Sequence, residues 1–97
     1  MLSDEVIDKS EEVFNALSER SRLQILHLLL TEGEKSIGEV ADSVSWISRS
    51  LVGRNLLTLK YAGLVKIRRA GRSKMCSASP ELKKTLKAVF AEIGIRL

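Results

Sequence analysis

The sequence has few of the residues that build disulfide-rich, loop-rich or aromatic-rich domains. It contains one cysteine, Cys76, which excludes an internal disulfide and a metal site built from several cysteines. One proline and six glycines in 97 residues leave little room for a loop-rich or sandwich fold. The few aromatic residues indicate an aliphatic, mostly helical core. The length fits one domain, residues 1–97, and a second copy would help it to bury apolar surface.

Long apolar runs are missing as well. No stretch approaches the roughly 20 apolar residues of a membrane-spanning helix. The acidic start (Asp4, Glu5 and Asp8) has no basic flank of the kind that opens a signal peptide. We therefore expect a cytoplasmic protein that has no membrane partner.

Acidic residues are absent between Asp42 and Glu81. Residues 1–42 hold ten acidic and four basic residues, whereas residues 43–80 hold eight basic residues and no acidic one. This segregation predicts one face that binds a polyanion, because neutralising phosphates supplies most of the non-specific affinity for nucleic acid. The alternative is a solvated basic face without a partner. The eight basic residues are Arg49, Arg54, Lys60, Lys66, Arg68, Arg69, Arg72 and Lys74.

Two helices are predicted in the first third of the chain. Ser3 and the acidic residues after it are typical of a helix start, and apolar residues then recur at helical spacing over residues 3 to about 17. We expect Ser18 to cap a second helix that runs to about Thr31 and stops at Gly33. Apolar residues cover most faces of this second helix, so it should lie at the centre of the domain.

The middle of the chain carries the pattern of a helix-turn-helix. Ser36 and Glu39 form a capping box that opens a short helix. A turn at residues 45–47 leads to Ser48, the expected cap of a fourth helix that ends at Gly63. Two short helices joined by a tight turn indicate DNA binding, with the second helix in the major groove. The predicted buried stripe of that helix is Val52, Leu56 and Leu59.

After the fourth helix the period changes from helical to alternating. Residues 64–68 and 74–77 are predicted strands joined by a turn at residues 70–73, and this basic hairpin is typical of the wing of a winged helix. A last helix should start at Ser79-Pro80-Glu81, with the proline in its first turn. The expected fold is mainly α with a small β-hairpin, a winged helix-turn-helix of about five helices plus a two-stranded wing. Its expected parts are core and dimerisation helices at residues 3–31 and 80–97, the helix-turn-helix at 36–62 and the wing at 64–78.

The first and last helices both carry apolar stripes that need covering. Nothing C-terminal to the last helix can cover its wide aliphatic stripe, so we expect pairing across a two-fold axis in a homodimer. The alternative is that the last helix packs only on the core of its own chain. The predicted dimer interface is Val6, Val13, Leu82, Leu86, Val89, Phe90 and Ile93.

The order of these parts, with several sequence phrases, resembles the arsenic-repressor (ArsR/SmtB) family of bacterial and archaeal winged-helix regulators. The resemblance covers about Val13 to Cys76. It implies a dimer formed through the first and last helices. The phrases are Phe14-Asn15-Ala16-Leu17-Ser18, Arg22-Leu23-Gln24-Ile25-Leu26, and Ala62-Gly63-Leu64-Val65 followed by Arg68-Arg69-Ala70-Gly71-Arg72.

The chain departs from this family at the positions that bind metals. Ser36 and Gly38 stand where metal-sensing members carry two cysteines, and residues 80–97 have no histidine for a zinc site on the last helix. We therefore expect no metal and no cofactor. Gly53 replaces a serine within the fourth helix, and it either permits close approach of the backbone to DNA or is simple drift.

The predicted partner is double-stranded DNA, read as an inverted repeat by a dimeric repressor. Arginine can bind guanine in bidentate fashion, and serine can bind a base or a phosphate. The expected recognition-helix residues are Ser48, Arg49, Ser50, Gly53 and Arg54. The expected phosphate-binding residues of the wing are Arg68, Arg69, Arg72 and Lys74.

No enzymatic activity is predicted. The only histidine, His27, is interpreted as a packed or half-exposed side chain rather than a ligand, and no catalytic nucleophile arrangement or glycine-rich phosphate loop is present. No polar cluster between the first and last helices points to an effector.

Two alternatives stay open. Cys76 is either a buried small hydrophobe or a redox switch whose pKa is lowered by Lys74 and Arg72. The domain could instead bind protein, because Trp46, Leu51 and Leu57 are expected to be exposed.

Overall fold

The computed structural model describes the backbone of residues 1–96 and the side chains of residues 1–94. Five helices and three strands lie within that range. The helices are α1 (Asp4–Leu17), α2 (Arg20–Glu32), α3 (Ile37–Ser43), α4 (Arg49–Tyr61) and α5 (Lys83–Arg96). The strands are β1 (Lys35–Ser36), β2 (Val65–Ala70) and β3 (Ser73–Ala78).

Polar side chains cap the first turns of α1, α2, α3 and α4. Ser3 Oγ accepts a hydrogen bond from the Val6 N–H, and Ser36 with Glu39 forms the predicted capping box at the start of α3. The prediction that Ser18 caps α2 is wrong. Ser18 ends α1, and the Glu19 carboxylate caps α2 by accepting from the Arg22 N–H at 3.1 Å. Backbone hydrogen bonds, that of Ser21 first, hold the pKa of this carboxyl below its usual value.

A glycine ends each of the helices α2 and α4. Gly33 and Gly63 have φ angles of 84° and 83°, a left-handed region that favours glycine. At the end of α4, the Gly63 N–H bonds to the Lys60 carbonyl and the Leu64 N–H bonds to the Leu59 carbonyl, both at 2.9 Å. This pair of bonds is a Schellman motif, which turns the chain from α4 into β2.

The predicted two-stranded wing is present as the β2–β3 hairpin, and β1 extends it to a three-stranded antiparallel sheet in the order β1-β3-β2. In the hairpin, Val65 pairs with Ala78 and Ala70 pairs with Ser73. The predicted turn at residues 70–73 is therefore present, with Ala70 and Ser73 as its paired ends and Gly71, at φ 62°, in its two-residue centre. The short β1 adds to the other edge of β3, with Lys35 opposite Cys76.

The last helix starts later than predicted. Residues 80–82 form a turn in which the Leu82 N–H bonds to the Ser79 carbonyl, and α5 begins at Lys83. Before the helix, the Ser79 hydroxyl donates to the Glu81 carboxylate at 2.8 Å. Residue 97, the end of the predicted last helix, lies outside the described residues.

Helix α2 lies at the centre of the core, as predicted. Its side chains Ile25, Leu26, Leu29 and Leu30 are at most 2% exposed. They are surrounded by apolar residues from α3, α4, the sheet and α5. The fully buried members of this shell are Val40, Val52, Leu56, Leu59 and Cys76.

Candidate nucleic-acid interface

Helix α4 has one buried face and one exposed face. The buried face contains the predicted stripe of Val52, Leu56 and Leu59, together with Asn55. On the opposite side, four exposed residues recur at helical spacing. This outward face is Ser50, Arg54, Leu57 and Tyr61.

A groove of about 570 Å³ lies between α4 and the β2–β3 hairpin. Its apolar lining includes Ile37, Leu56 and Ile67. Basic residues supply all the charged lining, and no acidic residue lines the groove within the described part of the chain. The basic lining residues are Arg49, Arg54, Lys60, Arg68, Arg69 and Lys74.

Strand alternation divides the basic residues of the wing between two faces. Arg69 lies directly opposite Lys74 and shares a face with Ile67 and Cys76, the face that packs toward α4. Arg72 lies exposed in the turn. Arg69, Arg72 and Lys74 have no hydrogen-bonding or ion-pair partner among residues 1–94, so three cations at the end of the hairpin are available to an anion.

Arg68 alternates with Arg69 along β2, also lines the groove, and already has a carboxylate partner. Its Nε and Nη2 donate to the two oxygens of Glu34 at 3.0 and 2.6 Å. The hydrogen bond from Arg68 holds the pKa of the Glu34 carboxyl below its usual value. A phosphate contact by Arg68 would therefore compete with Glu34.

Arg49 is paired as well. Its Nη2 lies 3.1 Å from Oδ1 of Asp42, which comes from α3, and both side chains are about three-quarters exposed. Exposed pairs of this kind contribute little to stability, so a phosphate or a base edge can replace the carboxylate at small cost. Sequence reasoning missed both ion pairs because Glu34 and Asp42 lie before the acid-free stretch.

Two residues that sequence reasoning did not assign position the recognition helix. The Arg22 guanidinium donates to the Ala16 and Asn15 carbonyls of α1 and, at 3.2 Å, to Oδ1 of the buried Asn55 in α4. One side chain therefore ties α1, α2 and α4 together. Asn55 could have been noticed as a polar residue within the apolar stripe of α4.

Known proteins resemble this chain along most of its length, although no protein-family model matches it. The uncharacterized HTH-type transcriptional regulator Rv0081 of Mycobacterium tuberculosis is 32% identical over 87 residues, covering 89% of this chain and 75% of Rv0081. The uncharacterized HTH-type transcriptional regulator YceK of Bacillus subtilis is 34% identical over 82 residues, covering 84% and 81% of the two chains.

Solved structures agree with these relatives. The crystal structure of Rv0081 has a TM-score of 0.82 at 30% identity and covers 97% of this chain and 93% of that chain. The homodimeric winged helix-turn-helix DNA-binding domain of Mb0332 from Mycobacterium bovis is a possible ArsR-family transcriptional regulator. Its solution structure also has a TM-score of 0.82 at 30% identity, covering 96% and 87% of the two chains. The chain belongs to the ArsR/SmtB family. It is a transcriptional regulator with a winged-helix DNA-binding domain.

Within this ArsR-family protein, the two positions that correspond to metal-binding cysteines have other roles. Ser36 Oγ accepts the Glu39 N–H at 3.1 Å as the cap of α3, and Gly38 lies beside the Arg49 guanidinium. Among the described residues, no group of three or more histidine, cysteine or acidic side chains is arranged to hold a metal ion. None of the described helices is long and apolar enough to cross a membrane.

The apolar residues predicted for dimerisation differ in exposure. Val6, Leu82, Val89 and Ile93 are exposed, whereas Val13 and Phe90 are partly buried against the core. Leu86 is only 8% exposed, so it packs in the core of its own chain and is not free to pair with a second copy. Further exposed apolar side chains on α1 and α2 are Ile7, Phe14 and Leu23.

Cys76 is a buried core residue of β3, the central strand of the sheet. Burial raises the pKa of its thiol to about 11, and the negative charge of Glu34 acts in the same direction. The alternative in which Lys74 and Arg72 lower this pKa does not hold, because desolvation by burial disfavours the thiolate and the nearby charge that acts on it is that of Glu34. The structure thus favours the small hydrophobe over the redox switch.

Proposed function

We propose that this ArsR-family protein is a homodimeric, sequence-specific repressor that binds an inverted-repeat operator in double-stranded DNA. The observation that carries the proposal is the groove between α4 and the wing. Within the described part of the chain, its charged lining is entirely basic. A helix flanked by a basic hairpin suits a major groove bordered by phosphates.

Side chains of α4 take different roles in this proposal. Ser50 and Arg54 lie on the outward face and would contact base edges, and Ser48 places the positive end of the helix near a phosphate. Arg49 would contact DNA after its ion pair with Asp42 breaks. Gly53 would allow the helix backbone to approach the bases.

The wing supplies phosphate contacts. Arg69, Arg72 and Lys74 are exposed and have no partner among the described side chains, so they can neutralise backbone phosphates without first breaking an ion pair. Arg68 would do so only in competition with Glu34.

Dimerisation is proposed from the exposed apolar side chains on α1 and α5. A two-fold dimer presents two recognition helices to half-sites about one helical turn, roughly 34–36 Å, or a multiple of it apart. The operator would then be an inverted repeat. A dimer bound across a promoter excludes the polymerase, and we therefore propose repression. We propose neither metal sensing through the usual family positions nor catalysis.

The proposal is tested by selecting bound sequences from a random duplex library with the full-length protein. The expected result is an enriched motif with two inverted half-sites, together with lower transcription from a promoter that contains it. Enrichment of a single half-site would contradict dimeric reading, and enrichment without any motif would contradict base-specific binding.

The second candidate is a module that binds protein and has no DNA role. It is favoured by the exposure of Trp46, in the turn before α4, and of Leu51, on α4. A gel-shift experiment with random duplex at low salt separates the two functions. The DNA-binding proposal expects a shift that weakens steeply with added salt. No shift at any protein concentration would favour the protein-binding module.

A further inference from the structure

Leu57 is an apolar side chain on the outward face of α4. It is 43% exposed and lines the groove, with the basic residues Arg54 and Lys60 three positions away on either side. Residues three apart on a helix share a face, so Leu57 lies between two cations. The fold does not need a leucine here, because the buried stripe of α4 is on the other side of the helix.

Gly53 lies one turn before Leu57 and also lines the groove. A Cβ built on Gly53 would have no heavy atom within 4 Å, so packing of the chain does not require a glycine at this position. The glycine leaves an open place beside the Leu57 side chain. A flat group that enters the groove can therefore approach the helix backbone and contact the leucine.

We propose that Leu57 is a specificity-determining residue that contacts the 5-methyl group of a thymine, with Gly53 admitting the edge of that base. The inference rests on the proposed DNA-binding function. Hydrogen-bond donors and acceptors make up the edges of the other bases in the major groove, and the thymine methyl is the apolar group found there. An exposed leucine in a groove lined by cations gains most by burying itself against that methyl.

The charge of the groove favours DNA over a protein as the occupant. Its charged lining within the described residues is basic throughout, which suits the phosphates on either side of a base edge. Leu51 lies on the same helix and is exposed to a similar extent, but it does not line the groove. Leu51 therefore provides a matched control for Leu57.

The experiment replaces each thymine of the selected operator, one at a time, by uracil, which lacks the 5-methyl group. Binding of the unmodified protein should weaken roughly three- to five-fold at one thymine of each half-site, as expected for one buried methyl group. The Leu57→Ala variant should bind the thymine and uracil forms equally, whereas Leu51→Ala should keep the thymine preference. Circular dichroism of each variant checks that the fold is retained.

The outcomes are distinct. Tight binding that no uracil substitution weakens would overturn the thymine contact while leaving the proposed function in place. A thymine preference that survives in Leu57→Ala would assign the contact to another residue and would also overturn the inference. Failure of the unmodified protein to bind any duplex would overturn the proposed function and this inference with it.

Discussion

Arg54 and Arg72 carry the same charge, but they lie in different parts of the proposed interface. Arg54 is on the outward face of α4, and Arg72 is in the turn of the hairpin. A cation that meets a phosphate contributes to binding of every sequence, whereas one that meets a base edge contributes only at its own base pair. Removing Arg72 should therefore lower affinity for every sequence, whereas removing Arg54 should lower it only where its own base pair is present.

We expect Arg72→Ala to weaken binding to all duplexes equally and to reduce the slope of affinity against salt concentration. Arg54→Ala should instead cost roughly 1–3 kcal/mol on the operator and relax the preference at one base pair. Both effects are measured by titrating operator and random duplex at several salt concentrations. Equal loss on every sequence in both variants would contradict base reading by Arg54.

Burial makes the Cys76 thiol unreactive. With a pKa of about 11, only about one thiol in a thousand is ionised at pH 8, and the thiolate is the reactive form. We expect a thiol reagent to modify the native protein far more slowly than the denatured protein, and mild oxidation to leave DNA binding unchanged. Rapid native modification accompanied by loss of binding would restore the redox switch.

Two glycines of the helix-turn-helix should respond to alanine in opposite directions. Gly53 is inside α4 in open surroundings, so Gly53→Ala should stabilise the fold by about 1 kcal/mol through helix propensity. Gly63 has φ 83°, so Gly63→Ala should destabilise it by roughly 1–2 kcal/mol. Urea unfolding measures both changes.

DNA affinity of Gly53→Ala then separates the two interpretations of this glycine. If the backbone approaches a base closely, the added methyl weakens operator binding while the fold becomes more stable. Unchanged affinity would mean that Gly53 is simple drift.

The three helices α1, α2 and α4 are joined by the Arg22 guanidinium. Arg22→Ala removes bonds to two α1 carbonyls and leaves Oδ1 of the buried Asn55 without its partner. We expect a loss of about 1–3 kcal/mol in the free energy of unfolding. Arg20→Ala, at an exposed position on the same helix, is the control and should change it by less than about 0.5 kcal/mol. Equal effects of the two variants in urea unfolding would contradict the role of the Arg22 guanidinium in joining the three helices.

At the scale of the whole molecule, the basic groove and the exposed apolar side chains of α1 and α5 belong to different elements. Basic side chains of α4 and the hairpin line the groove, whereas the apolar residues exposed on α1 and α5 do not line it. In the proposed dimer, the groove would contact DNA while α1 and α5 would contact a second copy. Such a homodimer would present two basic faces to one duplex.

Val89→Glu tests that arrangement, since it places a charge among the exposed apolar side chains of α5. We expect the variant to sediment as a monomer and to lose roughly 10²-fold or more in affinity for the inverted repeat, because two linked half-sites bind with avidity. Ala91→Glu, an exposed position on the opposite side of the same helix, should remain dimeric. A dimeric Val89→Glu would contradict the proposed interface.

Local patterns in the sequence were sufficient to predict that the five helices, the helix-turn-helix and the wing form. Ser36 with Glu39, Ser48 and Gly63 act through hydrogen bonds to residues at most a few positions away, so their effect can be predicted without a tertiary structure. The order of these elements, together with the resemblance in sequence, was also enough to identify the family. The start of α2 was wrong by one residue because Ser18 and Glu19 are both suitable caps.

The sequence shows where the acid-free stretch lies, but it does not show which of its basic side chains are free to bind an anion. Glu34 pairs with Arg68 and Asp42 pairs with Arg49 only because folding brings α3 and the residue before β1 beside the basic elements. The same holds for β1, the pKa of Cys76, the burial of Leu86 and the bond between Arg22 and Asn55. Each depends on contacts between residues distant in the chain, and such contacts leave no periodic signal.

The sequence by itself thus determined which elements form and where positive charge accumulates. Only the tertiary structure decided which of those charges are free to bind an anion, because ion pairing and burial depend on distance in space.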